Sequence, residues 1–127
     1  MTVPSSSFIS ELKRRKASIQ HDGGVFSVLS KTGAEVIWAK DGDECVSLFK
    51  ENPDTAVILM DMQMPVKDGY AAAREILKID PKVPIVAQTA YSMDDERERI
   101  LNTGCVGYVA KPIDRFELLK KIDSVIR

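Results

Sequence analysis

A chain of 127 residues with 18 basic and 19 acidic side chains, net charge −1, fits one domain that can bury a real core without metal or disulfide staples. That balance excludes a dedicated nucleic-acid binder, and the longest uninterrupted apolar run, Ala56 to Met60, falls far short of the roughly 20 residues that cross a bilayer. Cys45 and Cys105 show no metal-type spacing and no secretory apolar region accompanies them, so they read as reduced thiols of a cytoplasmic protein.

Residues 1–24 differ in character from the rest and read as a divergent N-terminal segment, leaving 25–127 as the domain. Phe8-Ile9-Ser10-Glu11-Leu12 could form an amphipathic turn capped by Ser7, and Lys13-Arg14-Arg15-Lys16 reads as a solvated charge cluster. Gly23-Gly24 interrupts any regular element.

From Gly33 onward the punctuation is regular. Ala34 to Ala39 is rich in β-branched and aromatic residues and predicts a strand; Asp41-Gly42-Asp43 turns it into a helix over 43–51. Asn52-Pro53-Asp54 ends that helix and launches Val57-Ile58-Leu59-Met60, an apolar run that stops at the carboxylate of Asp61. Tyr70, Ala73, Ile76 and Leu77 then recur at helical spacing until Asp80-Pro81. Val83 to Thr89 is another apolar strand, ending in a hydroxyl. Ser92 is the expected N-cap of a polar helix over 93–102 that has only Met93, Ile100 and Leu101 to bury. Val106 to Ala110 is a strand that delivers Lys111-Pro112. Asp114, with Glu117 three residues on, opens a last helix whose apolar face is Phe116, Leu119, Ile122 and Ile126. Helices of this length between short apolar strands are crossover connections, hence a three-layer α/β domain with a parallel sheet.

Three successive strands thus end in Asp61, Thr89 and Lys111. The carboxyl ends of parallel strands lie along one edge of a sheet, where the functional crevice of open α/β folds is found. A carboxylate there can act as nucleophile toward a phosphoryl group, with a hydroxyl and an ammonium steadying the transferring oxygens.

Leu59-Met60-Asp61-Met62-Gln63-Met64-Pro65 with Asp68-Gly69, then Gln88-Thr89-Ala90, then Gly107-Tyr108-Val109-Ala110-Lys111-Pro112, resembles the receiver domain of two-component response regulators and hybrid histidine kinases. The resemblance implies a flavodoxin-like fold with sheet order 2-1-3-4-5. It implies Asp61 as phosphoryl acceptor, Thr89 as the hydroxyl that follows the phosphoryl group, Tyr108 as the aromatic that switches with it, and Lys111 as the cation on the phosphoryl oxygens. It implies Mg²⁺ held by Asp61 and the backbone carbonyl of Gln63, a histidine kinase or histidine phosphotransfer domain as partner, and an output face on the fourth helix, fifth strand and fifth helix. Such a domain is a phosphoacceptor rather than an enzyme in the ordinary sense, with no nucleic acid or membrane contact of its own.

One part of the pattern is missing. Receiver domains end their first strand in an acidic pair, and counting back from Gly33 by the family's usual interval lands on Lys16 and Ala17. The first thirty residues hold only Glu11 and Asp22 as carboxylates, so Asp22 is the one acid left to assist the metal, and Mg²⁺ binding is expected to be weak. The central slot beside the Asp61 strand has three candidate occupants: Ala17 to His21 with a shortened first helix; Val25 to Leu29 as a strand hairpinned to the next; or a strand from a second copy in a swapped homodimer. His21 lies outside any amphipathic helix and is a poor phosphotransfer histidine. The alternatives in function are a degenerate receiver that binds proteins without phosphorylation and a phosphohydrolase of the haloacid-dehalogenase kind. The latter wants a second aspartate where Gln63 stands.

Overall fold

The computed structural model describes residues 15–19, 25–62, 68–90, 94–111 and 113–126. Five strands, β1 (Lys16–Ile19), β2 (Glu35–Trp38), β3 (Val57–Asp61), β4 (Ile85–Thr89) and β5 (Gly107–Ala110), form one parallel sheet in the order β2-β1-β3-β4-β5. Five helices connect them: α1 (Val25–Ser30), α2 (Gly42–Glu51), α3 (Gly69–Ile79), α4 (Asp94–Thr103) and α5 (Arg115–Val125). The expected three-layer, flavodoxin-like order is the observed one.

The central slot belongs to the chain's own Lys16–Ile19. Ala17, Ser18 and Ile19 pair in register with Val57, Ile58 and Leu59 on one side and with Val36, Ile37 and Trp38 on the other. This is the first of the three candidate occupants. The hairpin alternative is overturned, because Val25–Ser30 is a helix that buries Val25 and Leu29, one turn apart, against the sheet. No strand from a second copy is needed to complete the sheet. The division after residue 24 is corrected with it: β1 lies inside the sheet, so the folded unit starts no later than Arg15. The back-count from Gly33 misplaced the strand end for a related reason. With α1 only six residues long, Lys16 opens β1 at the edge of the sheet remote from Asp61, where it pairs with Asp54 at 3.0 Å.

Alternation along the strands builds two cores. On one face Ile58, Met60, Ile85 and Ala87 meet Cys45, Val46 and Phe49 of α2, Tyr70, Ala73 and Ile76 of α3, and Ile100 of α4. On the other, Ala17, Ile19, Val57, Leu59, Val86 and Val109 meet Val25 and Leu29 of α1 and Leu118 and Ile122 of α5. Both faces of the sheet are therefore covered, as an all-parallel sheet requires.

Helix starts follow from the local sequence. Asp41, Asp68 and Asp114 cap α2, α3 and α5, each carboxylate accepting from the backbone N–H three residues on, of Glu44, Ala71 and Glu117. The expected cap of the fourth helix, Ser92, and its Met93 lie outside the described residues. Among the described side chains of α4 only Ile100 is buried; Leu101 is exposed. With so few buried apolar contacts among its described residues, this helix has little packing to hold it in place.

Cys105, buried between α4 and β5, has its thiol pushed up to about 11 by burial, from an ordinary 9.0. The folded state thus holds a proton that the unfolded chain releases first. Stability from this group is present below about pH 9 and lost as pH climbs to about 11, by about 2–3 kcal/mol at most. Urea unfolding at stepped pH is expected to show that fall, and Cys105→Ala to flatten it. A slope unchanged in the variant would place its origin elsewhere.

Candidate functional site

Asp61 ends β3 as the last residue of a strand buried along its whole length. The Nζ of Lys111, just past β5, donates to Asp61 Oδ2 at 2.9 Å. The two strands are not neighbours, since β4 lies between them, so the ion pair spans β4 at the carboxyl edge of the sheet. Backbone bonds hold the three strand ends side by side: Met62 N–H donates to Gln88 O at 3.1 Å, and Lys111 N–H to Thr89 O at 2.8 Å.

The alternation sorts the remaining residues. Leu59 and Val109 belong to the α1/α5 core, so Asp61 and Lys111, each two residues on, share that face. Thr89, two residues after Ala87, falls on the opposite face, as does half-buried Tyr108, which packs against the α2/α3/α4 core. Thr89 is 1% exposed and stands one residue beyond the level of Asp61, which is in register with Gln88. The expected switch pair thus shares one face of the sheet, the one opposite the ion pair. Two other expected participants, Gln63 and Asp22, lie outside the described residues.

Where the chain is described again, Gly69 lies tightly against the end of β3. Gly69 opens α3, its N–H donating to Met62 O at 3.4 Å. A Cβ on Gly69 would come within 2.7 Å of Met62 Cα and closer still to the Asp61 carbonyl oxygen, so only glycine fits there.

Next to Gly69, Tyr70 ties this corner to α4. Its buried hydroxyl donates to Glu96 Oε1, and the Arg99 guanidinium lies 3.8 Å above its ring. Burial, and then the Glu96 carboxylate, hold the phenol well above its ordinary range. This link went unread in the sequence, where Tyr70 counted only as an apolar helix position, because its partners lie 26 and 29 residues away at no diagnostic spacing. Gln88 carries no signal in the sequence either, where it is a single polar residue within an apolar strand.

A groove of about 650 Å³ lies on the face formed by α4, β5 and α5. Tyr108 lines it, with Arg97 from α4 and Glu117, Lys120, Lys121 and Ser124 from α5. It is where the output face was expected.

The described residues alone supply part of a divalent-cation site. No group of three or more His, Cys, Asp or Glu side chains able to hold a metal occurs among the described residues. Asp61 is the carboxylate at the crevice, and its Oδ2 already accepts from Lys111. One carboxylate with phosphoryl oxygens and water is the lower end of what Mg²⁺ accepts. No helix of the described residues is long and apolar enough to cross a membrane.

Residues 23–123 match the response regulator receiver domain family. A probable transcriptional regulator ycf27 from Porphyridium aerugineum is 40% identical over 100 residues, which cover 78% of this chain and 40% of that protein. The chain thus spans about two fifths of that relative's length. Among solved structures, the receiver domain of Ssk1 in complex with the histidine phosphotransfer signalling protein Ypd1 from Saccharomyces cerevisiae superposes with a TM-score of 0.81. It is 29% identical, covering 90% of both chains. The receiver domain of sensor histidine kinase PA1611 from Pseudomonas aeruginosa, solved with a magnesium ion in its active-site cleft, gives 0.78 at 32% identity, over 87% of this chain and 96% of that one. With its sheet order, its Asp61–Lys111 pair and a family match over most of its length, this chain belongs to the receiver domains of two-component signalling.

Proposed function

We propose that Asp61 accepts a phosphoryl group from the phosphohistidine of a histidine kinase or histidine phosphotransfer domain, and that Thr89 and Tyr108 pass the event to the α4-β5-α5 face. The observation that carries this is the buried Asp61 carboxylate held at 2.9 Å by Lys111 at the carboxyl edge of the sheet. An Asp61 oxygen forms the bond to phosphorus while the bond from phosphorus to the donor's imidazole nitrogen breaks, its electron pair going to nitrogen. Lys111, freed from the carboxylate as that oxygen becomes the bridging oxygen of an acyl phosphate, follows the charge onto the phosphoryl oxygens. The Thr89 hydroxyl supplies a neutral donor to the same oxygens. Half-buried Tyr108, on the face of Thr89, fills the space that the hydroxyl vacates, which alters the wall of the groove it lines.

Asp61, the Gln63 carbonyl and Asp22 are the residues that would hold Mg²⁺, weakly for want of an acidic pair. Bound there, the ion would offset the negative charge of the phosphoryl oxygens. The structurally similar Ssk1 receiver binds a histidine phosphotransfer protein, which favours a partner of that class here.

Incubation with acetyl phosphate and Mg²⁺, read by intact mass, tests the assignment. One phosphoryl group is expected on the wild type and none on Asp61→Asn, with loading that still rises at Mg²⁺ concentrations that saturate a receiver bearing the acidic pair. Absence of loading at any Mg²⁺ concentration would overturn it and leave the phosphorylation-independent binding module. Rapid loading at low Mg²⁺ would overturn the weak-metal part alone.

A further inference from the structure

Gln88 is a long polar side chain in the middle of the domain, 1% exposed, and its amide nitrogen Nε2 is buried with no hydrogen-bond partner among the described residues. A buried donor left unmade destabilises the state that contains it, so such a group in a native fold calls for a reason. Its position supplies one. Gln88 lies in register with Asp61 on β3 and with Val109 on β5, and it follows Val86 by two residues, which places it on the α1/α5 face with Asp61 and Lys111. The Asp61–Lys111 ion pair crosses β4 on this face, and Gln88 is the β4 residue level with Asp61. Thr89, the expected hydroxyl donor, is on the other face.

We infer that Gln88 is a further residue of the acceptor site: its amide donates a hydrogen bond to an oxygen of the phosphorylated Asp61, and so favours the loaded state over the resting one. The inference rests on Asp61 being the acceptor. In the resting state Lys111 satisfies the near carboxylate oxygen and the amide is left over; loading adds oxygens at this point and draws the ammonium outward with them. The bond made only on loading offsets the penalty carried at rest, which is differential binding applied to a switch.

The opposed signs make a sharp test. Gln88→Met keeps the length and much of the volume of the side chain while removing the donor. Two quantities are measured on the whole chain: the thermal midpoint without ligand, and the beryllofluoride concentration that half-saturates the protein at fixed high Mg²⁺, followed by NMR shifts. The variant is expected to unfold at the wild-type temperature or above it, and to need about tenfold more beryllofluoride. Gln88→Glu, with an acceptor beside Asp61 in place of the donor, is expected to weaken loading further. A variant that loads as the wild type does would overturn the inference while leaving Asp61 as acceptor. A midpoint that falls together with loading would also overturn it, since that marks a packing role. A wild type that fails to load would instead remove the acceptor assignment and this inference together.

Discussion

Gly69→Ala is expected to cost about 2–3 kcal/mol in urea unfolding and to slow loading of Asp61 in the same variant. The position is the first residue of α3, where alanine ordinarily helps a helix by up to about 1 kcal/mol. The cost therefore comes from space alone. The added methyl meets Met62 Cα at 2.7 Å and the Asp61 carbonyl carbon at 3.0 Å, and these are backbone atoms of β3 and its exit, with no rotamer to yield. Either α3 backs away, straining the Tyr70 link to Glu96 on α4, or β3 shifts and takes the Asp61 carboxylate away from Lys111. Gly107→Ala is the control. The atoms nearest its new methyl all belong to the Lys121 side chain, from 3.1 Å, whose flexible stem can swing aside, so a loss below about 1 kcal/mol is expected. Equal losses in the two variants would show that the Gly69 contact is soft.

The same corner shows what was readable in the sequence. Asp61, Thr89 and Lys111 stood out because each closes an apolar run, and the sheet brings their strand ends together as that pattern required. Helices α2 and α3 were legible for a physical reason too: turn residues at Asp41 and Asp68 mark their starts, and apolar residues recur one turn apart behind them; α5 starts at Asp114 as expected, but it buries Leu118 and Ile122 and leaves the expected Phe116 exposed. The first thirty residues resisted. Lys16 to Ile19 is a strand of four residues with a serine at its centre, too short to show a period, and it is specified by pairing on both sides rather than by its own composition. Val25-Phe26-Ser27-Val28-Leu29 has the β-branched and aromatic content of a strand. What overrides it is the burial of Val25 and Leu29 on one face of a single helical turn, closed by Gly33 at φ 84. The Gln88 amide and the Tyr70 hydroxyl were invisible for a different reason. Their significance is a matter of neighbours across the sheet and between helices, and no spacing in one chain announces such a neighbour.

The Asp61–Lys111 pair should respond unequally to loss of its two halves. The Asp61 side chain is 4% exposed and that of Lys111 25%. Lys111→Met leaves a buried carboxylate without its cation, and the expected cost is about 2–3 kcal/mol, somewhat below the range for fully buried pairs because one end reaches solvent. Asp61→Asn leaves an ammonium that can turn outward on a flexible stem and rehydrate, and its expected cost is less than about 1 kcal/mol. A double variant, Asp61→Asn with Lys111→Met, should recover most of the loss of Lys111→Met, because the buried charge has gone with its partner; the cycle isolates the coupling. Chemical denaturation at neutral pH measures all three. Function follows a different order: both single variants should fail to hold beryllofluoride, the first for lack of a cation on the transferring oxygens and the second for lack of the accepting oxygen. If Asp61→Asn proves the more destabilising, Asp61 is held chiefly by its other contacts and Lys111 is an optional partner at rest. Equal costs would mean that burial does not set the asymmetry, and that the pair acts as one of surface charges, screened by salt and of little weight in the resting fold.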